Sequence, residues 1–380
     1  MVVSRTINGT LVDIEVDEGD GIYLEEEVLD QLPGYDIESI KEFFYSNNRV
    51  YAPYSVMWEL TNRCNLRCRF CYINCSGIEH EPFMPVESCY AMIDDLVRCG
   101  MLFCTLTGGE CLLHPQFSDI YSYLKNKGVL VTLFTNATLL QEEHFNLFST
   151  LPPYKIEVSI YGVSEDGFSR VTAIHGDQWG KVLHNIKRLK DMGIQVVCKT
   201  PLNLLTEEET PIIRAWCKDN GVPFYNSPEL LDSYVGESME QYAVSAEVQH
   251  SFYLQRMKNA SEQSRREFGY KCAFECAGGR TSMFIAHNAK VYPCSASVGI
   301  EELSVPIFPK GMEAAVFELR RMILGYAGRK ISQCHGCEYH DVCNRCIVDE
   351  YRRKKDSSDY CAKFRTDIEN FTVKIIRKAQ

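Results

Sequence analysis

The chain has 380 residues, of which 45% are hydrophobic and 24% are charged, and this composition is ordinary for a folded globular protein. Its net charge of −11 argues against a nucleic-acid partner, whose binding surface would be basic. No apolar run approaches the ~20 residues of a membrane span, and the N-terminal sequence MVVSRTINGTLVDIEVDEGD lacks the basic and apolar regions of a signal peptide. We therefore expect a cytoplasmic protein of two or three domains that does not bind a membrane.

Residues 1–52 are acidic and are predicted to form a small appended element. Two strand-like runs, Leu11–Val16 and Gly21–Leu24, precede a helix-like stretch at Ile37–Tyr45. A strand edge in this element could pair with an extended peptide.

From residue 53 to residue 230, strand-like and helix-like segments alternate. The apolar strand candidates are Ser55–Thr61, Phe103–Thr107, Leu130–Thr135, Ile156–Ile160, Gln195–Thr200 and Pro223–Tyr225. The helix candidates between them are Val86–Arg98, Gln116–Lys127, Gln141–Ser149, Trp179–Met192 and Glu207–Asp219. Six strands joined by crossover helices predict an α/β fold, a parallel and incompletely closed (β/α) barrel. Its active site should lie at the carboxyl ends of the strands.

The rest of the chain is predicted to be a helical linker at residues 231–271 and a loop-rich segment at residues 272–380, which contains eight cysteines. The whole chain has 18 cysteines, and tight cysteine clusters in a cytosolic protein indicate metal or catalytic ligands. The scattered histidines receive no role from the sequence: His114, His175, His287, His335 and His340.

Three cysteines, Cys64, Cys68 and Cys71, follow the first barrel strand in one short loop. Three thiolates can hold three irons of a [4Fe–4S] cluster and leave the fourth iron open to bind a small molecule, whereas a fully ligated cluster transfers only electrons. A structural zinc loop and three unrelated buried thiols are the alternatives, although zinc sites usually carry CxxC pairs.

The spacing Cys64-x3-Cys68-x2-Cys71, with an aromatic residue just before the last cysteine, resembles the radical S-adenosylmethionine (SAM) enzymes over roughly residues 53–230. This resemblance implies a partial (β/α)6 barrel of the TIM type and a SAM-binding [4Fe–4S] cluster. Such enzymes receive an electron from an external donor such as flavodoxin or ferredoxin. They cleave SAM reductively to a 5′-deoxyadenosyl radical, which abstracts hydrogen from the substrate.

The turn Gly108-Gly109-Glu110 follows the second barrel strand, and radical SAM enzymes bind the methionine end of SAM with such a turn. The resemblance implies backbone contacts from both glycines and a contact of Glu110 with the SAM amino group; a tight turn between strand and helix is the plainer alternative. Cys111 replaces the usual proline. The resemblance also implies further contacts with SAM from four side chains, those of Tyr72, Asn136, Ser159 and Arg170. Tyr72 could instead be a core aromatic, and Arg170 a surface ion pair.

The C-terminal cysteines contain two CxxC pairs, Cys334-x2-Cys337 and Cys343-x2-Cys346, which alone would suit a zinc ribbon. All eight together resemble the SPASM domain, which holds two auxiliary [4Fe–4S] clusters. The resemblance implies one cluster on Cys272, Cys276, Cys294 and Cys346, and a second on Cys334, Cys337, Cys343 and Cys361. The two-residue gap before Cys346, Ala289 in place of glycine and the short gap from Cys272 to Cys276 depart from the usual pattern.

The implied protein therefore carries three [4Fe–4S] clusters and SAM. SPASM-bearing relatives mostly modify peptides or proteins, so the first hypothesis is an oxidoreductase that acts on a ribosomally made peptide and forms an oxidative cross-link or a related modification. A sulfatase-maturase-like enzyme or a small-molecule dehydrogenase is the second hypothesis. A non-catalytic zinc-ribbon interaction protein is the third.

Overall fold

A computed structural model describes residues 2–7, 10–15, 53–73, 82–249, 251–252, 276–279, 281–334 and 346–352. At the N-terminus, β1 (Val2–Ile7) pairs with β2 (Thr10–Glu15) as an antiparallel hairpin. The sequence predicted β2 one residue late and did not predict β1. The predicted elements at Gly21–Leu24 and Ile37–Tyr45 lie outside the described residues.

The centre of the fold is a set of six parallel strands, each hydrogen-bonded to the next along the chain. These strands are β3 (Ser55–Glu59), β4 (Phe103–Thr107), β5 (Leu130–Thr135), β6 (Lys155–Ser159), β7 (Val196–Pro201) and β8 (Phe224–Ser227). The helices between them are α1 (Val86–Arg98), α2 (Phe117–Asn126), α3 (Glu142–Thr150), α4 (Glu165–Thr172), α5 (Gln178–Asp191) and α6 (Glu209–Asp219). This arrangement confirms the predicted partial TIM-like barrel.

The side chains of the barrel strands alternate between two faces, as the period of two in a strand requires. Val56, Trp58, Leu106 and Val158 are buried in the apolar core. The intervening residues lie on the other, inner face, and they include the apolar Met57 as well as the charged Glu59 and Glu157. The outer face is apolar because the helices cover it, and the carboxyl edge and inner face remain for chemistry.

The same sheet continues beyond β3 on its other side. There β9 (Ser282–Ile285) runs parallel to β3, and β10 (Lys290–Tyr292) and β11 (Val305–Pro306) follow as antiparallel neighbours. Part of the cysteine-rich segment is thus joined to the barrel by backbone hydrogen bonds, next to the strand that leads into the Cys64 loop.

The C-terminal half departs from two expectations in part. Residues 272–361 are not uniformly loop-rich, because they contain a 23-residue helix, α7 (Met312–Cys334), and a short helix, α8 (Ile347–Arg352). The first part of the predicted helical linker, residues 231–245, is a loop with one 3-10 turn at Glu240–Tyr242. Helix α7 buries Met312, Ala315 and Leu319 in the barrel core, and tertiary packing explains why it forms. No helix among the described residues is long and apolar enough to cross a membrane.

Replacing Leu106 by alanine should lower the free energy of unfolding by about 2–5 kcal/mol. The reason is that this side chain of β4 is 0% exposed in the apolar core. Leu204→Ala is the matched control, since Leu204 is 54% exposed and should change the free energy by less than about 0.5 kcal/mol. Urea denaturation followed by circular dichroism measures both. Equal effects would contradict the assignment of the buried face.

Candidate active site

The three-cysteine loop begins directly after β3, at the carboxyl edge of the barrel. Its apolar residues Leu66 and Phe70 are buried, and Cys64, Cys68 and Cys71 are half-buried. The loop is fixed from the side by α4. The backbone N–H of Arg67 donates to the carbonyl of Thr172 at 3.0 Å, and that of Arg69 donates to Val171 at 3.1 Å.

The electrostatics of the loop suit a positively charged metal group. Desolvation, followed by the charges of Cys71 and Cys64, raises the pKa of the Cys68 thiol well above its ordinary value. Three thiolates so close together repel one another unless a bound metal offsets their charge, and metal binding is what deprotonates such thiols. Within the described residues, no three such side chains converge tightly enough for a single metal ion. The fit to a cluster therefore rests on donor chemistry and spacing.

The Gly108-Gly109-Glu110 turn packs directly against the start of the cysteine loop. The backbone N–H of Gly109 donates to the carbonyl of Thr61, and that of Glu110 donates to the carbonyl of Arg63, both at 2.8 Å. A Cβ added to Gly108 would lie 2.3 Å from the Thr61 carbonyl oxygen, and one added to Gly109 would lie 2.2 Å from that of Arg63. Both glycines are required here by the contact between the two loops, whatever they also do for a ligand.

Glu110 is 1% exposed, and its carboxylate ties the turn to the end of β5. Thr135 Oγ1 donates to Oε1 at 2.8 Å, and the backbone N–H of Asn136 donates to Oε2 at 2.7 Å. The backbone N–H of Leu112 also donates to Oε1, at 3.2 Å, and caps a short 3-10 turn. Burial raises the pKa of Glu110, although these hydrogen bonds to the charged form oppose the shift. The predicted contact with the SAM amino group stays a prediction.

Asn136 joins the end of β5 to the cysteine loop. Its Nδ2 donates to Asn65 Oδ1 at 2.9 Å and lies 3.9 Å from Cys64 Sγ. Thr138 Oγ1 donates to Asn136 Oδ1 at 2.5 Å and accepts from Asn65 Nδ2 at 2.8 Å. A residue that the sequence proposed for SAM thus lies beside a cysteine of the triplet and helps to fix the loop.

Ser159, at the end of β6, shares a hydrogen bond with Tyr161, and the Tyr161 hydroxyl in turn bonds to Cys68. Burial, and then the nearby Cys68 charge, raises the pKa of Tyr161 well above its ordinary value. The ring of Tyr161 packs edge-on against Phe70, with 5.9 Å between ring centroids. No role for Tyr161 was predicted from the sequence, and its contact with the cysteine loop is seen only in the structure.

The other two proposed SAM residues are engaged with protein groups. Arg170 donates to Glu208 Oε2 at 2.8 Å and to Asp166 Oδ2 at 3.2 Å, which is the surface ion pair that the sequence left open. Tyr72 packs edge-on against Tyr234, with 5.5 Å between ring centroids. Their contacts with SAM stay predictions.

The inner face of the barrel carries a buried charged group below these loops. Glu157 on β6 lies between two lysines, with Lys155 Nζ 2.6 Å from Oε1 and Lys199 paired to Oε2. Lys199 also lies over the ring of Phe134, 4.9 Å from its centroid. The inner face of β6 and β7 therefore carries charged groups.

Among the C-terminal cysteines, Cys276 and Cys294 are neighbours. Burial raises the pKa of Cys294, and the charge of Cys276 adds to the shift. A Cβ on Gly278 would lie 3.3 Å from Cys276 Sγ and 3.1 Å from the Pro293 carbonyl oxygen, so the two segments are in contact. Cys346 immediately precedes α8, and Cys334 ends α7. The predicted ligands Cys272, Cys337, Cys343 and Cys361 lie outside the described residues.

Replacing Glu110 by glutamine should lower the free energy of unfolding by about 1–3 kcal/mol. The amide NH2 would face hydrogen-bond donors and leave at least one of them unsatisfied. Denaturation of the metal-free chain measures this, with Glu207→Gln as the control because Glu207 is exposed. A stability equal to that of the wild type would show that these donors do not depend on the carboxylate.

Part of the chain matches a known protein family. Residues 58–214 match the sequence profile of the Radical SAM superfamily. The antilisterial bacteriocin subtilosin biosynthesis protein AlbA of Bacillus subtilis is 27% identical over 260 residues, which are 66% of this chain and 56% of that protein. The AdoMet-dependent heme synthase of Methanosarcina barkeri is 24% identical over 343 residues, which are 82% of this chain and 96% of that protein.

A crystal structure of Streptococcus suis SuiB bound to its precursor peptide SuiA is similar in fold, with a TM-score of 0.62 and 15% identity over 91% of this chain and 82% of that one. The chain spans little more than half of the length of AlbA. The comparisons confirm the resemblance that the cysteine spacing predicted. Residues 58–214 match the Radical SAM superfamily, and the chain resembles the SPASM-type peptide maturases.

Proposed function

We propose that this chain is a radical SAM oxidoreductase that modifies a ribosomally made peptide. The observation that carries the proposal is the contact between two loops at the carboxyl edge of the barrel. The Cys64–Cys71 loop and the Gly108–Glu110 turn are joined there by hydrogen bonds of 2.8 Å through Thr61 and Arg63.

In this proposal Cys64, Cys68 and Cys71 would hold a [4Fe–4S] cluster, and the Gly-Gly-Glu turn would hold SAM. When bound, the pair supplies a 5′-deoxyadenosyl radical that removes hydrogen from an unactivated carbon. The chain's own groups hold the reactants in place and exclude water. Glu110 fixes the turn, Asn136 fixes the cysteine loop, and the inner face with Glu157 and Lys199 receives the substrate.

A peptide substrate is favoured by two of the similar proteins. AlbA is named for the biosynthesis of a bacteriocin, and SuiB was crystallised with a precursor peptide. Removal of one hydrogen atom by the 5′-deoxyadenosyl radical, followed by loss of a proton and of an electron to a one-electron acceptor, would give a net oxidation, as in a new cross-link. The proposed auxiliary clusters would serve as that acceptor. We expect an external one-electron donor such as flavodoxin or ferredoxin, and a cytoplasmic setting.

A small-molecule substrate is the second candidate, and one observation favours it. The heme synthase of Methanosarcina barkeri matches 82% of this chain and is itself matched over 96% of its length, which is more complete than the match to AlbA. Tetrapyrroles of the kind that its name implies would be the substrate class to test.

Peptide and small-molecule substrates can be distinguished directly. The reduced enzyme with SAM is incubated with synthetic peptides encoded next to its gene and, separately, with an iron porphyrin. A peptide that loses two hydrogen atoms by mass spectrometry supports the proposal. Oxidation of the porphyrin, with every peptide unchanged, would favour the second candidate.

The C-terminal cysteines are proposed to hold two auxiliary [4Fe–4S] clusters, which the contact of Cys276 with the segment of Cys294 supports. Anaerobically purified wild type should then contain about 12 irons per chain. The Cys64/Cys68/Cys71→Ala variant should contain about 8. Iron, acid-labile sulfide and zinc analysis checks this, and about 4 irons together with zinc would make the C-terminal set a zinc ribbon.

The Gly109→Ala variant should bind SAM at least about tenfold more weakly, because its Cβ would displace the Arg63 carbonyl that holds Glu110. Gly176→Ala is the control. Gly176 has a φ of +91° and open space around it, so that variant carries backbone strain without a clash. Equilibrium dialysis with the iron-loaded proteins measures both affinities. Equal affinity in the Gly109 variant would contradict the role of this loop contact.

A further inference from the structure

A buried carboxylate below the cysteine loop connects both ends of that loop. Glu59, the last residue of β3, is 0% exposed. Its Oε2 accepts a hydrogen bond of 2.9 Å from the Tyr234 hydroxyl, and its Oε1 pairs with His287 Nδ1. A carboxylate buried this deeply is held by charge-assisted hydrogen bonds, and here they come from two distant parts of the chain.

His287 extends this network to the residue just before the cysteine triplet. The amide Nδ2 of Asn62 donates to His287 Nε2 at 2.9 Å. Nε2 must therefore accept, so the ring hydrogen lies on Nδ1 and is donated to Glu59. His287 lies in the turn between β9 and β10, and its side chain is only 16% exposed.

Tyr234 reaches the other end of the cysteine loop. Its backbone N–H donates to the carbonyl of Tyr72 at 2.8 Å, and the two rings pack edge-on. The loop from Asn62 to Tyr72 is thus held at its start through His287 and at its end through Tyr234. Both contacts converge on Glu59.

The start of the cysteine loop, which His287 holds, also contacts the Gly-Gly-Glu turn. Asn62 lies between Thr61 and Arg63, whose carbonyls accept from Gly109 and Glu110. A shift of Asn62 would move these carbonyls, because Asn62 is bonded to both residues along the chain. The approach is tight, since a Cβ at Gly109 would lie 2.8 Å from the Asn62 carbonyl oxygen.

We propose that His287 is a positioning residue for SAM: by holding Asn62 against Glu59, it fixes the Thr61–Arg63 segment on which the Gly-Gly-Glu turn rests. This inference rests on the proposed function for its link to SAM. His287 lies in the β9–β10 hairpin, which leads directly to Cys294. Its hydrogen bonds therefore connect this C-terminal hairpin to the end of the barrel that would bind SAM.

The test uses the full-length chain with His287→Ala, His287→Gln and, as control, His175→Gln at an exposed position. Glutamine can donate to Glu59 and accept from Asn62, so it should restore what alanine loses. The first measurement is hydrogen exchange of the metal-free proteins, read at the backbone N–H groups of Gly109 and Glu110. The second is the KM for SAM of the iron-loaded, dithionite-reduced proteins, from 5′-deoxyadenosine formed without substrate.

We expect exchange at Gly109 and Glu110 to become about tenfold faster in His287→Ala, with no change in β6 and β7. The KM for SAM should rise about tenfold at unchanged iron content, and His287→Gln should stay within about threefold of the wild type in both measurements. Wild-type exchange at the two amides in His287→Ala would overturn the inference, as would faster exchange throughout the barrel. An iron-loaded wild type that never cleaves SAM would instead overturn the proposed function, whatever the exchange data show.

Discussion

The site depends on one steric constraint, the close contact between the Gly108–Glu110 turn and the residues that leave β3. Carbonyl oxygens of Thr61 and Arg63 occupy the space that side chains at Gly108 and Gly109 would need, at 2.3 and 2.2 Å from their Cβ positions. Two adjacent parallel strands bring these segments together at one edge of the sheet. The glycines let them approach closely enough for backbone hydrogen bonds. The arrangement of the cysteines relative to the turn follows from that contact.

Buried carboxylates then make the contact rigid. Glu110 ties the turn to the end of β5, and Glu59 ties the cysteine loop to the β9–β10 turn and to Tyr234. Burying a carboxylate costs free energy unless hydrogen bonds replace its hydration, and each of these two has donors on both oxygens. Networks with every member satisfied fix a geometry more sharply than apolar contacts do. A cluster site that must place SAM within a narrow range of positions has a use for such rigidity.

Much of the barrel could be predicted from the sequence because its signals are local. Apolar runs such as Phe103–Thr107 and Leu130–Thr135 have the bounds of β4 and β5, and Val86–Arg98 has those of α1. The cysteine spacing and the Gly-Gly-Glu turn are also local, so the match of residues 58–214 to the Radical SAM superfamily could be predicted as well. Helix α7 could not be predicted in this way. It forms because Met312 and Leu319 are buried against the core, and that core is assembled from residues far away in the sequence.

The contacts of single polar residues were the least predictable part. His287 lies 225 residues from Asn62 and 228 from Glu59, and no pattern within one sequence joins positions so far apart. For Arg170, the sequence left a surface ion pair and a contact with SAM open, because both need only a carboxylate. In the structure Arg170 forms the ion pair. Its partners are Glu208, on a neighbouring loop, and Asp166, one turn earlier in α4.

The central claim is that the Cys64–Cys71 loop supports reductive cleavage of SAM. The most direct test is to mix anaerobically reconstituted, dithionite-reduced protein with SAM and quantify methionine and 5′-deoxyadenosine by mass spectrometry, in the wild type and in Cys68→Ser. We predict that the wild type forms both products in equal amounts and that the variant forms neither. A wild type loaded with iron that forms neither product, or a variant that cleaves SAM as fast as the wild type, would contradict the claim.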